Sequence, residues 1–309
     1  MQARSCPLCG ANEHETVLEL EADAFCRTNW TYSADFRTIL GIGDRALFPV
    51  VRCRRCAMVF AALLPDDDFL TALYDRVIGK AECVAGSENR PGYARRLRYV
   101  AELLELAPPG DPLRALDYGS GLGVTLRLLR ACGVDSTGFD PSAIRNEYVG
   151  EHELTTVSDR SALQGIFSIV VLDNVLEHLP DPAATLEWLR GVTAAGAVAY
   201  VSVPPYESDF VHEQVGHHRR GEPLDMTLNP WEHLNYFSLA HLDTLMLRGG
   251  FRRLAASRRA AAPGIGLRPE RSAARRGKNA AASMARLVRY ALRGDVLATA
   301  EHAFYRRES

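Results

Sequence analysis

The sequence predicts an α/β protein: a mostly parallel sheet covered by helices on both faces, with a small cysteine-bearing module ahead of it. Three observations carry this. Short apolar runs alternate with segments of helical periodicity over residues 113–256, the rhythm of strands joined by helical crossovers. One run, FSIVVL at 167–172, is apolar apart from Ser168 and rich in β-branched residues, as a doubly covered strand should be. The first 60 residues carry two Cys-x-x-Cys pairs instead of that alternation.

Taken in order, residues 93–106 place Leu97, Val100, Leu103, Leu104 and Leu106 at near-helical spacing, and Pro108, Pro109 and Gly110 end that helix. Residues 114–118 read as a short buried strand, 124–132 as a helix, 135–139 as a strand, 142–148 as a helix and 154–157 as a weaker strand. After the run at 167–172, residues 181–192 form a helix with Pro182 in its first turn. A strand over 197–203 stops at Pro204 and Pro205; a helix over 239–247 closes at Gly249 and Gly250, and a strand follows at 251–256. The polar stretch 204–238, with His212, His217, His218, Trp231 and His233, interrupts the rhythm and reads as a long loop, functional or disordered. Beyond residue 260, Asn279 can cap a helix over Met284, Leu287, Val288 and Ala291 that stops at Gly294; residues 295–300 read equally as a last strand or as a resumed helix.

Composition narrows the function. With 309 residues, 47% hydrophobic and 24% charged, the chain is of ordinary globular make-up. Its net charge of −2 gives no general case for nucleic acid or acidic membranes. No apolar run approaches the roughly 20 residues of a membrane span, and the N-terminus lacks a signal-like apolar stretch. A cytoplasmic location is therefore expected, where seven cysteines read as thiols or metal ligands. Residues 251–309 hold 14 of the 36 basic residues and 4 of the 38 acidic ones. Only Lys80 and Lys278 are lysines, so the basic residues are nearly all arginine, a coding bias more than a binding signal. Without interleaved aromatics, the tail disfavours nucleic acid as a partner.

The sharpest local signal is ALDYGSGLG at 115–123, which follows a strand and opens a helix. Gly119 and Gly121, with Ser120 between them, let a ligand approach the main chain. Asp140, 19 positions after Gly121 and at the end of the next strand, is placed to accept both hydroxyls of a ribose. Asp117, two residues before the first glycine, would repel a pyrophosphate and suits an ammonium group. The pattern resembles the first motif of class I S-adenosylmethionine-dependent methyltransferases, acidic-x-Gly-x-Gly-x-Gly. The run 167–182, FSIVVLDNVLEHLPDP, is similar to the fourth strand and following turn of those enzymes, with Ser168 where the family usually has Asp. The resemblance implies a Rossmann-like, mostly parallel seven-stranded sheet, and S-adenosylmethionine (SAM) as cofactor. It places Asp173 and Asn174 at the cofactor-binding strand ends, and Asp159 against the adenine amine.

Cys6 and Cys9, and Cys53 and Cys56, form the two Cys-x-x-Cys pairs, 43 residues apart. Four thiolates close a structural zinc site and leave no open position for water. Cys26 and His14 are worse-spaced substitutes, while Cys83 and Cys132 read as incidental thiols. A four-cysteine module, a methyltransferase core and Glu232-His233 ahead of Tyr236-Phe237-Ser238 resemble the deoxysugar C-methyltransferases and relatives from sugar and natural-product clusters. That family reads Tyr-His-Glu-His where this chain has Pro230-Trp231-Glu232-His233, and it also carries a histidine matched by His178. A sulfonium methyl group is already activated, so the protein must align an acceptor and remove its proton, a task suited to histidine. His233 is the first candidate base, with Glu232 orienting it or contacting substrate, and His178 the second. His212, His217 and His218 lie beside Arg219 and Arg220, which would repel a cation; Tyr206, Trp231 and Tyr236 can stack on an acceptor or pack the loop.

The expected organisation is a zinc-binding module over 1–75, a methyltransferase domain over 76–260 and a basic extension over 261–309 that can supply the last helix and strand. The expected reaction is methyl transfer from SAM to a small polar acceptor, a sugar nucleotide or glycosylated natural product. Two rivals are an RNA methyltransferase that holds its substrate by the zinc module and basic tail, and an inactive cofactor-binding scaffold.

Overall fold

The computed structural model describes residues 1–22, 35–43, 46–78, 88–110, 112–163, 165–204, 206, 208–222, 224–225, 227–254 and 302–308. The expected elements over 261–300, and Cys26 and Cys83, lie outside these residues. The larger sheet is built from β6 (Arg114–Tyr118), β7 (Asp135–Phe139), β8 (Thr156–Val157), β9 (Phe167–Asp173), β10 (Thr193–Ser202), β12 (Phe251–Arg253) and β13 (His302–Arg307). Its order is β12-β13-β10-β9-β6-β7-β8. Strands β8, β7, β6, β9 and β10 are parallel, and β13 runs antiparallel to both of its neighbours. This is the Rossmann-like sheet the sequence predicts.

Helices form where the sequence supplies caps and apolar stripes. In α3 (Arg90–Leu106), Asn89 accepts from the Gly92 amide, and Tyr99, Val100 and Leu103 are buried. Leu97, also at helical spacing, is about half exposed. Then come α4 (Val124–Ala131), α5 (Ala143–Glu151, capped by Ser142), α6 (Pro182–Val192, capped by Asp181) and α8 (Leu239–Arg248, capped by Ser238). Successive strand residues face opposite layers. Ala115, Ile169, Val171 and Tyr200 pack with Tyr99, Leu103 and Leu129. Leu116, Val170, Leu172 and Val201 pack with Leu186, Leu189, Leu242 and Met246. No helix among the described residues is long and apolar enough to cross a membrane.

The N-terminal part has β1 (Gln2–Ala3) against β5 (Leu63–Leu64), and a sheet of β2 (His14–Glu21), β3 (Leu47–Cys53) and β4 (Val59–Ala61). Two short helices, α1 (Phe36–Leu40) and α2 (Asp67–Ala72), lie beside them, and a π-helical turn over Leu73–Val77 continues α2. The edge of this sheet is completed from far along the chain: β11 (Asn235–Tyr236) pairs antiparallel with β4.

The stretch 204–238 is therefore not one long loop. It holds α7 (Ser208–Arg220) and β11. Val211 of α7, with Leu224, Leu228, Trp231 and Tyr236, joins Leu18, Leu20, Phe48 and Val50 in a single apolar cluster. Trp231 is fully buried against Phe36 and Phe48, with ring centroids 6.1 and 5.0 Å away. It packs the module.

Candidate active site

The carboxyl ends of β6 and β9 flank the point where the chain leaves one half of the sheet for the other, the place where open α/β sheets take their ligands. The turn after β6 needs glycine. Gly119 has φ +78°, and a Cβ there would lie 2.6 Å from Val175 Cγ2. Gly121 has φ +53° with open space where its Cβ would stand. The amides of Gly119 and Ser120 donate to the Phe139 carbonyl at 2.7 and 3.0 Å, fixing the turn against β7.

Beyond this turn lies a cavity of about 210 Å³ lined by Asp117, Gly119, Ser120, Gly121, Asp173 and Asn174, with Arg96 and Arg145 at its sides. Asp117 is 3% exposed, and among the described residues no hydrogen bond reaches its carboxylate. Burial, reinforced by Asp173 and Asp140 and only partly offset by Arg96, pushes its carboxyl up to about 8. Asp140 accepts from the Gly121 amide at 2.9 Å and the Ser142 amide at 3.0 Å, with Arg145 Nη1 3.6 Å away. Asp173 takes a two-pronged ion pair from Arg95, at 2.7 and 2.8 Å, and a hydroxyl bond from Ser202. Asn174 sits at φ +56°, its amide held by Ser202. Asp159 does not line this cavity; exposed, it caps the 3-10 turn Arg160–Ala162 through the Ser161 amide.

A second cavity, about 390 Å³, adjoins the first through Asn174 and is lined by Arg95, Tyr200, Ser202, Thr227 and His302. Near it the candidate histidines meet, their ring centroids 4.7 Å apart. His233 Nδ1 donates to the Thr227 carbonyl at 2.6 Å, and His178 Nδ1 to the Glu232 carbonyl at 3.0 Å. A carbonyl only accepts, so each ring carries its proton on Nδ1 and leaves Nε2 as an open lone pair. Burial pulls both imidazoles below their ordinary range, His178 well below, and so keeps them neutral. The Glu232 carboxylate accepts from Asn229 Nδ2 at 2.8 Å; it is the backbone of Glu232 that holds a catalytic candidate, and that candidate is His178.

A family model described as a methyltransferase domain matches residues 92–256, which span the glycine turn, the residues that line the first cavity and both histidines. The chain belongs to this methyltransferase family. No curated protein matches it. Solved structures resemble this methyltransferase in fold. The plantazolicin methyltransferase BpumL, in complex with SAH, is 13% identical over 74% of this chain and 90% of its own, with a TM-score of 0.46. CalS10, an amino pentose methyltransferase from Micromonospora echinaspora solved with SAM bound, is 11% identical over 74% of this chain and 97% of its own, also with a TM-score of 0.46.

The methyltransferase brings its four N-terminal cysteines together. The sulfurs of Cys6, Cys9, Cys53 and Cys56 all lie within 4.8 Å of one another. Cys6 and Cys56 are 3.6 Å apart and Cys9 and Cys53 3.5 Å, against about 3.8 Å for the edge of a zinc–thiolate tetrahedron. Each pair forms the same turn. Gly10 donates to the Cys6 carbonyl and Ala57 to that of Cys53, at 2.8 and 2.9 Å, both in the left-handed region with φ +72° and +62°. The non-glycine residue is the strained one. Ala57→Gly is expected to stabilise the methyltransferase by roughly 0.5–1 kcal/mol, read as a rise in thermal midpoint. His14 stands apart from the cluster, with its ring against Phe60.

Several residues of the site carry no motif. Arg95, Arg96 and Tyr99 reach Asp173 from α3, and their spacing in sequence marked only a helix. Tyr74 lies between His178 and Arg145, with its ring centroid 6.2 Å from the imidazole and 5.2 Å from the guanidinium carbon. Glu177 precedes His178, and its carboxylate is fully buried.

Proposed function

We propose that this methyltransferase transfers a methyl group from SAM to a small polar acceptor, a sugar nucleotide or a glycosylated natural product. The observation that carries the reading is Asp117. A buried carboxylate with no hydrogen bond among the described residues, at the head of a glycine-lined cavity, fits the ammonium of an amino-acid tail and does not fit a phosphate. When bound, SAM supplies an activated methyl group on a sulfonium. Gly121, bare of side chain, admits the nucleoside, and Asp140 at the end of β7 takes the ribose hydroxyls in place of Arg145. Asp173, Asn174 and Ser120 shape the rest of the cofactor wall. Asp159 would reach the adenine amine only by leaving its capping bonds.

The second cavity takes the acceptor. Arg95 and His302 give it polar walls and Tyr200 an aromatic one, and the Nε2 of His233 or His178 takes the proton that the acceptor loses. The sugar or natural-product class rests on the resemblance of Glu232-His233 and Tyr236-Phe237-Ser238 to the deoxysugar C-methyltransferases. The four cysteines hold a structural zinc ion; a full thiolate set leaves it no open position.

Asp117 gives the test. Its carboxyl must ionise to meet an ammonium, so affinity for S-adenosylhomocysteine is expected to rise with pH up to about 8, with a proton released on binding below that. Asp117→Asn is expected to lower affinity roughly 10- to 100-fold and to remove this pH dependence. Calorimetry in buffers of different ionisation heat reads both. Wild-type binding that is tight and independent of pH from 6 to 9 would refute the assignment.

A further inference from the structure

We propose that Glu177, His178 and His233 form a second metal site, distinct from the four cysteines, that takes a divalent first-row transition ion such as zinc. The three ligand atoms lie within 4.8 Å of one another. Glu177 Oε1 is 3.8 Å from His178 Nε2. Among the described residues neither carboxylate oxygen of Glu177 has a hydrogen-bond partner, although the side chain is fully buried. A polar group left unmatched in the interior is rare in folded proteins and calls for a partner. The rest of the residue is well held: its backbone carbonyl accepts from the Leu234 and Asn235 amides at 2.7 and 3.0 Å. The carboxylate is thus fixed beside two imidazoles.

The imidazoles are prepared in the manner of metal ligands. A ligating histidine characteristically donates its second ring nitrogen to a carbonyl or carboxylate, which fixes the tautomer and aims the lone pair. Both rings do so here, His178 to Glu232 and His233 to Thr227. Two neutral imidazoles and one carboxylate make a donor set suited to zinc, iron or cobalt. Bonds of about 2.0–2.2 Å place ligand atoms roughly 3–3.5 Å apart, so an ion would draw the three groups inward. Three protein ligands leave a coordination position open, in contrast to the closed cysteine site.

The consequence for catalysis rests on the functional reading above. The Nε2 lone pairs that would accept the acceptor's proton are the same ones the ion would take. Loading the site and accepting a proton therefore exclude each other, and the second ion is expected to inhibit methyl transfer.

The experiment uses the full chain with zinc at the cysteines, titrated with cobalt(II) and followed by metal analysis and visible spectroscopy. One further equivalent is expected, with weak bands and without the intense thiolate charge transfer of the cysteine site. Glu177→Gln, near in shape, and separately His178→Gln, are expected to lose that equivalent and keep the thermal midpoint. No second equivalent, or one that persists in both variants, would overturn the site. Methyl transfer by the protein with this site empty is read in parallel, so failure of the metal site and failure of the methyltransferase reading are distinguishable.

Discussion

Replacing Cys53 by serine, or stripping the cysteine site with a chelator, is expected to abolish methyl transfer as well as metal binding. A structural zinc ion contributes on the order of 10 kcal/mol in small modules, comparable with the whole stability of a domain. The loss would not stay local. Cys6, Cys53, Met58 and Phe60 belong to the same apolar cluster as Val170, Leu172 and Val201 of the large sheet. His241 Nε2 donates to the Cys56 carbonyl at 2.9 Å, and Arg248 to that of Leu8, so both cysteine turns are tied to α8. Arg4 donates to Asn235 Oδ1 at 2.6 Å, and Asn235 Nδ2 in turn bonds the Leu176 and Leu179 carbonyls on either side of Glu177 and His178. Loss of the ion is thus expected to disturb α8 and, through Arg4 and Asn235, the segment that carries His178. Thermal unfolding and metal content together check this; a Cys53→Ser protein with an unchanged midpoint and full activity would refute it.

His233→Ala is expected to lower turnover roughly 100- to 10,000-fold, the usual contribution of a positioned proton acceptor. Affinity for S-adenosylhomocysteine should hold, because His233 does not line the cavity beside Asp117. His178→Ala is expected to act on turnover too. The double variant should fall short of the product of the two effects, since the rings are in contact and their functions are coupled. Steady-state rates and product calorimetry on the three proteins decide it. Unchanged product formation by His233→Ala would move the proton acceptor elsewhere.

Where local chemistry dictates structure, the sequence was legible. Strand β9 lies where the apolar run 167–172 places it, because a strand covered on both faces has few polar residues to spare. Gly119 was legible because its position demands a backbone without a Cβ. The four cysteines met because each pair makes its own turn. The misses are tertiary. Helix α7 was hidden because its sequence, SDFVHEQVGHHRR, offers only Phe210, Val211 and Val215 to a core that belongs mainly to another segment. For Trp231 the sequence leaves stacking on an acceptor and packing both open, and its contacts with Phe36 and Phe48 favour packing. Arg95 and Glu177 have no local signature at all. One is defined by a carboxylate 78 positions away, and the other by the burial around it.

The pairing of β11 with β4 has a practical corollary. A fragment begun after residue 75 would expose the flank of β11 and the faces of Trp231 and Tyr236, a bare apolar edge that invites aggregation. Truncation, chimera-making or transplantation of the catalytic portion alone would therefore fail on solubility before chemistry could be assayed. The segment from α7 to β11 has to travel with its amino-terminal partner as one inherited unit.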